Sequence, residues 1–345
     1  MTTLRTLVRV LAGLLRHPVG RRHPVRTLFR FVRWQIVTRV RPGPREVPFV
    51  GGTRLLVSRG MTGATGNVYL GLHEFAPMSL VLDALRPEDL FLDVGANVGS
   101  YTVLASGVVG CRTIAFEPVP ATVEALEANV RLNDLGDRVR VVKAAVGDTS
   151  GTVLVTTTRD TTNRVLTEEE STDGGASWDD RLEVPLVRLD DAVSPAELAA
   201  AERVILKIDV EGFEVPVLRG AEGLLASGKV LAVLVEINGS GAAFGHADAD
   251  IVEVLRQNRL VEVGNSPVSC LANHTSELSE PMRIFTGGHL RFLPAKPDNL
   301  RLRLGISRHS RMRVPADKQR SHNMSGLATA APFRARSAGH RRAEG

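Results

Sequence analysis

The chain has 345 residues, of which 43% are hydrophobic and 23% charged, values that are ordinary for a soluble globular protein. Its net charge of +5 is unevenly distributed, because residues 1–45 contain eleven arginines and no acid, whereas residues 46–295 contain 20 basic and 35 acidic residues. Since the central region is acidic, it offers no basic groove for a nucleic acid, and we expect no nucleic-acid partner.

Residues 1–45 are predicted to form a basic helical arm with two amphipathic segments. Apolar residues such as Leu7, Leu11 and Leu14 share one face of the first segment, and the second, Arg26 to Arg41, interleaves aromatic and aliphatic residues with arginines. Neither segment has an apolar run long enough to span a bilayer, and Arg9 interrupts any signal-peptide core. Two readings stay open: the helices cap the next domain, or they bind weakly to an anionic membrane surface.

The segment from Phe91 to Pro118 carries the most informative pattern. It predicts a buried strand, a tight turn, a helix, a second strand and a terminal acid, in this order: Phe91–Val94, Gly95–Gly99, the residues from Ser100, Arg112–Phe116, and Glu117. The acid lies 22 residues beyond Gly95, where a nucleoside-binding α/β unit places a carboxylate for ribose hydroxyls. The segment therefore predicts a nucleoside site.

The turn also indicates which nucleoside is bound. A dinucleotide fingerprint has the form G-x-G-x-x-G, but here Asn97 occupies the position of the second glycine, which lets the backbone approach a pyrophosphate. D-V-G-A-N-V-G at Asp93–Gly99 resembles the first motif of class I S-adenosylmethionine (SAM) methyltransferases, and F-E-P at Phe116–Pro118 resembles their second. The resemblance implies SAM, which has a ribose, an adenine and a zwitterionic methionine end but no phosphate. Asp93 either binds its ammonium group or organises the turn. An NAD-type oxidoreductase and a non-catalytic SAM-binding protein remain the alternatives.

Strands and helices alternate through the rest of the chain, which predicts an α/β fold with a doubly wound, mainly parallel seven-stranded sheet. A short hairpin and a helix precede the first core strand: Phe49–Val57 and Ala76–Leu85. The further strands are predicted at 139–142, 153–156, 183–187, 204–209, 230–237, 260–263, 283–286 and 290–293. The further helices are predicted at 121–132, from Gly212 to about Leu225, and at 250–258. Residues 157–181 predict a mobile loop, and residues 296–345 a disordered tail, which leaves 46–295 as the main domain.

Four motifs resemble those of the FkbM family of SAM-dependent methyltransferases: D-V-G-A-N-V-G-S-Y at Asp93–Tyr101, A-F-E-P at Ala115–Pro118, A-A-V-G-D at Ala144–Asp148, and K-I-D-V-E-G-F-E at Lys207–Glu214. The resemblance covers roughly residues 70–240. It implies a Rossmann-like class I methyltransferase fold and O-methylation of a hydroxyl on a sugar, glycan, glycolipid or polyketide-like metabolite. The SAM-binding residues it implies are Asp93, Gly95, Ala96, Asn97, Gly99, Glu117, Pro118, Ala144, Ala145 and Asp209.

Four acids follow core strands and should meet at the carboxyl edge of the sheet: Glu117, Asp209, Glu211 and Glu236. Because Glu117 is assigned to the ribose, the order of candidates for the base that deprotonates the acceptor is Asp209, then Glu211, then Glu236. Further candidates are His73, which with Glu74 is placed to cover the site, and His246.

Each of these residues also has a structural interpretation. Glu211 is placed to cap a helix that starts at Gly212, His73 to make a structural hydrogen bond, and Lys207 to pair with an acid, since a lone buried ammonium is costly. No metal is assigned, because Asp209 and Glu236 alone are too few ligands. The two cysteines lack the spacing of a disulfide framework or zinc site, so the cytoplasm is the expected compartment. The identity of the acceptor and the oligomeric state stay open.

Overall fold

The structure is a computed structural model, and it describes residues 2–157, 163–167, 170, 180–263 and 282–287. The strands are β1 Arg45–Pro48, β2 Arg54–Val57, β3 Leu90–Val94, β4 Arg112–Phe116, β5 Val139–Val142, β6 Ala145–Val146, β7 Gly151–Thr156, β8 Arg181–Val187, β9 Val204–Ile208, β10 Val230–Glu236, β11 Leu260–Glu262 and β12 Met282–Gly287.

The helices are α1 Thr2–Arg16, α2 Pro18–Arg22, α3 Pro24–Val40, α4 Thr62–Leu70, α5 Phe75–Ala84, α6 Ser100–Thr102, α7 Pro120–Leu132, α8 Leu189–Ala192, α9 Pro195–Ala200, α10 Glu214–Arg219, α11 Glu222–Ala226 and α12 Asp248–Gln257. The short α6 continues as a π-helix, Val103–Val109, and a 3-10 helix spans Ser240–Phe244.

Seven strands form the central sheet, in the order β5-β4-β3-β9-β10-β12-β11. Strands β5, β4, β3, β9 and β10 run parallel, and β12 lies antiparallel between β10 and β11. Counted along the sequence, the order is 3-2-1-4-5-7-6. A dinucleotide-binding fold has the order 3-2-1-4-5-6, so the inserted antiparallel strand distinguishes this sheet from it. The predicted doubly wound, mainly parallel seven-stranded sheet is confirmed.

Alternate residues of the central strands pack on opposite faces of the sheet, as the two-residue period of a strand requires. Phe91 and Ile205 belong to a cluster with residues of α5 and the π-helix, whereas Leu92 and Leu206 belong to a cluster with residues of α10 and α11. All four side chains are fully buried. The sheet is therefore covered on both faces, and its functional groups can reach solvent only at strand ends.

The arm helices pack on this domain. Leu14, Phe31 and Trp34 are buried in a cluster with Leu55 and Tyr69, so the capping arrangement expected as one alternative is present. Within the described residues, no helix has the length and apolar character needed to cross a membrane.

Two expectations about local structure are wrong. The helix predicted from Gly212 to about Leu225 is two helices, α10 and α11, because the chain turns at Gly220, where a Cβ atom would lie 1.9 Å from the carbonyl oxygen of Gly147. Because α10 starts only at Glu214, Glu211 caps no helix; it has a φ of +52°, and Glu214 accepts the hydrogen bond from the N–H of Gly212 instead.

The predicted loop 157–181 is described only in part. Its residues 163–167 lie against β7: Val165 forms a β-bridge with Val155, and both Val165 and Leu166 are buried. The predicted hairpin strand at 283–286 falls within β12, whereas its partner at 290–293, Cys270 and the predicted tail lie outside the described residues. Cys111 is buried and free.

Candidate active site

A cleft opens at the carboxyl ends of β3, β4 and β9, the point where the strand order reverses. In open α/β sheets this switch point is where ligands bind. Seven of the predicted cofactor residues line the cleft: Gly95, Asn97, Glu117, Pro118, Ala144, Ala145 and Asp209. The other three, Asp93, Ala96 and Gly99, lie behind its surface and are buried or hold the turn.

The turn after β3 depends on two glycines. Gly95 has a φ of +72°, and a Cβ atom there would lie 1.9 Å from the carbonyl oxygen of Asp209. Gly99 has a φ of +87°, and a Cβ atom there would lie 2.4 Å from the side chain of Leu126. Asn97, at φ +51°, is stabilised because its Oδ1 accepts a hydrogen bond from the N–H of Val98. The turn is therefore fitted tightly against β9 and α7.

Glu117 links the end of β4 to this turn. Its Oε2 accepts a hydrogen bond from the N–H of Asn97, and its Oε1 accepts one from the N–H of Val119, both at 3.0 Å. Burial raises the pKa of Glu117 to about 7, although these two N–H groups pull it in the opposite direction. The carboxyl group is thus held rigidly in the cleft wall. Each carboxylate oxygen keeps a second acceptor position, as two lone pairs per oxygen provide.

Lys207, in the middle of the sheet, is the cation between two acids. Its Nζ donates to the carbonyl oxygen of Gly95 at 2.7 Å and lies 3.2 Å from Asp209 and 3.6 Å from Asp93. Burial tends to lower the pKa of Lys207, but the charges of Asp209 and Asp93 raise it above its usual value. The predicted pairing of Lys207 with an acid is confirmed. Asp93 is completely buried and also accepts a hydrogen bond from Thr102, so it organises the turn from below.

Three of the predicted acids come together beside this lysine. Carboxylate oxygens of Asp209, Glu211 and Glu236 lie within 4.8 Å of one another, and we call these residues the carboxyl cluster. Burial, reinforced by the charge of Asp209, raises the pKa of Glu211 to about 6 and that of Glu236 to about 8. Three half-buried carboxylates at this distance either share protons or hold a divalent cation through oxygen ligands.

The two histidines lie elsewhere. His73 lines a second cavity, between the arm and α4, and burial lowers the pKa of its imidazole. The backbone N–H of His73 donates to Oδ1 of Asn67, whose Nδ2 donates to the hydroxyl of Ser100 in the first turn of α6. His246, which follows the 3-10 helix, is absent from the residues that line the cleft.

Sequence reasoning missed part of the cleft. Arg164, Val165 and Phe213 also line it, and Phe213 makes an edge-on contact with Phe244. Phe213 was available as a signal, since it lies two residues after Glu211 in the motif K-I-D-V-E-G-F-E. Arg164 was not, because it lies in a polar segment without periodicity.

An α/β sheet of this order with an acid-lined cleft at its switch point defines the methyltransferase class, and comparisons with known proteins agree. The methyltransferase FkbM domain matches residues 93–260. The chain is 31% identical over 198 residues to the 31-O-demethyl-FK506 methyltransferase FkbM of Streptomyces tacrolimicus, which covers 50% of this chain and 72% of that protein. It is 27% identical over 185 residues to the hexuronic acid methyltransferase AglP of Haloferax volcanii, 52% of this chain and 67% of that protein.

The chain therefore belongs to the FkbM methyltransferase family. Among solved structures, a geranyl diphosphate methyltransferase in complex with SAM is similar with a TM-score of 0.35 and 13% identity, over 66% of this chain and 92% of that one. At this TM-score, the fold assignment rests on the strand order and not on that likeness.

Proposed function

We propose that the protein is an O-methyltransferase that uses SAM to methylate a hydroxyl group of a sugar, glycan or secondary metabolite. The observation that carries this proposal is the pairing of two acidic groups in one cleft. Glu117 lies at the end of β4, where a ribose acceptor belongs, and the carboxyl cluster lies at the ends of β9 and β10. The first group suits a nucleoside, and the second suits removal of a proton.

The residues of the cleft fit SAM in chemistry. Glu117 offers acceptors for two ribose hydroxyls, and small or apolar residues beside it, including Ala144, Ala145 and Val119, suit an adenine ring. The cleft volume of about 70 Å³ is smaller than a typical ligand pocket. Arg164 and Val165, on the connection between β7 and β8, also line this cleft.

SAM supplies the methyl group, and the residues of the chain handle the proton that the hydroxyl loses. An effective base has a pKa near the working pH, and the raised pKa values of Glu211 and Glu236 meet this condition. Asp209 is held by Lys207 and contributes the negative charge that keeps its neighbours basic. We therefore propose that the carboxyl cluster as a unit accepts the proton of the acceptor hydroxyl. Within the cluster, Asp209 acts as a positioning residue.

The names of two relatives support the proposed acceptor class. One is a 31-O-demethyl-FK506 methyltransferase and another a hexuronic acid methyltransferase, so a small molecule or glycan with a free hydroxyl is proposed as the acceptor. An NAD-dependent reaction is the second candidate, but the antiparallel β12 and Asn97 both disfavour it.

Isothermal titration of the purified protein with SAM, S-adenosylhomocysteine and NAD tests the cofactor assignment. We expect micromolar binding of the two sulfur-containing nucleosides and no binding of NAD. Gly95→Ala should abolish this binding, because its Cβ atom meets the backbone of Asp209. Gly110→Ala is the matched control: it places an alanine at a φ of +90° with no atom within 4 Å, away from the cleft. Binding of NAD alone, or of none of the three, would overturn the assignment.

A pH series of thermal unfolding tests the protonation of the carboxyl cluster without any acceptor. Glu236 has a folded-state pKa of about 8, above its ordinary 4.5, so the folded protein binds its proton more tightly than the unfolded chain does. Stability from this group is therefore lost as pH rises from about 5 to 8. We expect Glu236→Gln to be more stable than the parent by about 1–2 kcal/mol at pH 8, allowing for solvent screening, and to lose that advantage near pH 5.

The control for this series is Glu202→Gln, which changes an exposed glutamate outside the cluster. It should leave the pH profile of the parent unaltered. A parallel series with millimolar Mg²⁺ distinguishes a cluster that shares protons from one that binds a divalent cation. An ion bound by the cluster would stabilise the parent at pH 8 and not the Glu236→Gln variant. If the stability difference between parent and Glu236→Gln does not change with pH, Glu236 does not retain a proton in the folded protein.

A further inference from the structure

The second cavity lies outside the residues matched by the family. Its volume is about 890 Å³, and it is an open groove lined by α1, α3 and the segment from Arg59 to His73. Apolar side chains of the two arm helices and α4 supply most of its wall, among them Leu7, Val10, Leu14, Phe31, Trp34 and Leu70. Its volume is in the range of ligand pockets.

Four polar residues of the wall are already paired with one another. Gln35 donates to the hydroxyl of Tyr69 at 3.0 Å, and the ring of His17 lies 3.1 Å from the carbonyl oxygen of His73. Burial, reinforced by His73, lowers the pKa of His17 to about 4, so its ring is neutral at physiological pH. The interior therefore presents few free polar partners to a ligand. An apolar chain suits it better than a sugar or a nucleotide does.

The charge around the cavity is positive. Arg59 lines it and is exposed, and the arm that forms its other walls has eleven arginines and no acid in residues 1–45. A ligand with an apolar chain and a negatively charged headgroup complements both the interior and this surrounding.

The outer face of α3 indicates where such a ligand comes from. One face of α3 is buried against the domain through Thr27, Phe31, Trp34 and Thr38. On the opposite side an apolar stripe is exposed: Val25, Phe29, Val32, Ile36 and Val40. Arginines flank this stripe. A helix with an exposed apolar stripe among basic residues is suited to the surface of an anionic membrane.

We propose that this cavity is a binding site for the apolar chain of an anionic membrane amphiphile, with the charged headgroup beside Arg59. The proposal concerns binding alone and does not depend on the identity of the methyl acceptor.

Fluorescence of Trp34, a residue of the cavity wall, provides the test. The chain has two tryptophans, so Trp178→Phe leaves Trp34 as the single reporter in the full-length protein. The probe is lysophosphatidylglycerol with a brominated chain, used below its micelle concentration, because bromine quenches a tryptophan that it contacts. We expect saturable quenching in the Trp178→Phe background. Absence of quenching would overturn the proposal.

Gly13 allows the cavity to be filled without loss of an existing contact. It lines the cavity, and a Cβ atom there would meet no atom within 4 Å. Gly13→Phe should weaken probe binding by at least about tenfold, whereas the matched Gly13→Ala, which adds only a methyl group, should bind as the parent does. Unchanged S-adenosylhomocysteine binding by both variants would show that the fold is intact. Equal affinity of Gly13→Phe and Gly13→Ala for the probe would show that the probe does not bind in this cavity.

Two further experiments test the charge of the headgroup and the membrane origin of the ligand. Lysophosphatidylcholine with the same chain should bind at least about tenfold more weakly, and Arg59→Gln should reduce the preference for the anionic probe. Full-length protein should co-sediment with vesicles of phosphatidylglycerol more than with vesicles of phosphatidylcholine, and Ile36→Glu, on the exposed stripe of α3, should weaken that binding. Equal affinity for the two headgroups would overturn the anionic assignment, and equal sedimentation of the parent and Ile36→Glu would overturn the membrane source.

Discussion

Lys207→Met is expected to destabilise the protein by about 3–5 kcal/mol, the cost of leaving a buried charge without its partner. Asp93 has no exposed surface and Lys207 has 2%, so solvent cannot replace the lost ammonium group. The substitution also removes the hydrogen bond from Nζ to the carbonyl oxygen of Gly95, which ties β9 to the turn. The free energy of unfolding, measured by urea denaturation with circular dichroism, checks this result.

Two variants separate the buried charge from the loss of a lysine in general. Lys143 forms a 2.8 Å ion pair with Glu127 on the surface, with 62% of its side chain exposed, and Lys143→Met should cost less than about 1 kcal/mol. The double variant Asp93→Asn with Lys207→Met removes both buried charges and should recover much of the loss, because two neutral groups need no ion pairing. A Lys207→Met protein within about 1 kcal/mol of the parent would contradict the ion-pair argument.

The core strands could be predicted because each of them is a short run of mostly apolar residues in the sequence. The predicted strand Arg112–Phe116 agrees with β4 at both ends, and Phe91–Val94 falls within β3. In a parallel sheet both faces are covered, so a short run of mostly apolar residues identifies a strand without any alternation. The mainly parallel seven-stranded sheet followed from the alternation of strands with helices and from the motif resemblance, whereas the order of its strands comes from the structure alone.

Helix α4 was not predicted, because its sequence argues against a helix. Residues 62–66 read Thr-Gly-Ala-Thr-Gly, and glycine and threonine both have low helix propensity. Its stability comes from tertiary contacts: Ala64, Tyr69 and Leu70 are buried in the cluster that also holds Phe31 and Trp34 of α3. The cavity between arm and domain escaped prediction for the same reason, since it exists only where these helices meet.

The sequence predicted at which edge of the sheet the site lies, but not how its side chains are arranged. Strand ends placed Asp209, Glu211 and Glu236 on one edge, yet no pattern gives the separation of side chains on two different strands. Glu211 illustrates the limit: a helix cap was the natural structural role for an acid before Gly212, whereas its φ of +52° turns it away from α10. Which carboxyl groups share a proton depends on such details.

Glu117→Ala is expected to weaken binding of S-adenosylhomocysteine by about 1–3 kcal/mol, or roughly five- to 150-fold, the range for a lost set of buried hydrogen bonds. Two contributions are combined in that loss. The carboxyl group accepts hydrogen bonds from the N–H groups of Asn97 and Val119, and its remaining acceptor positions are those proposed for the ribose. Glu117→Gln, which keeps one acceptor oxygen, should have an intermediate affinity.

A ligand without ribose hydroxyls separates the two contributions. The 2′,3′-dideoxy analogue of S-adenosylhomocysteine cannot donate to Glu117, so the parent should bind it more weakly than the complete ligand, and Glu117→Ala should bind both ligands with similar affinity. Calorimetric titration of two proteins with two ligands gives the coupling energy directly. If Glu117→Ala weakens both ligands by the same factor, Glu117 acts only by holding Asn97 and Val119 in place, and the ribose is bound by another residue of the cleft. A coupling energy of about 1 kcal/mol or more would instead assign the hydroxyls to Glu117, because a purely structural role has no reason to distinguish the two ligands.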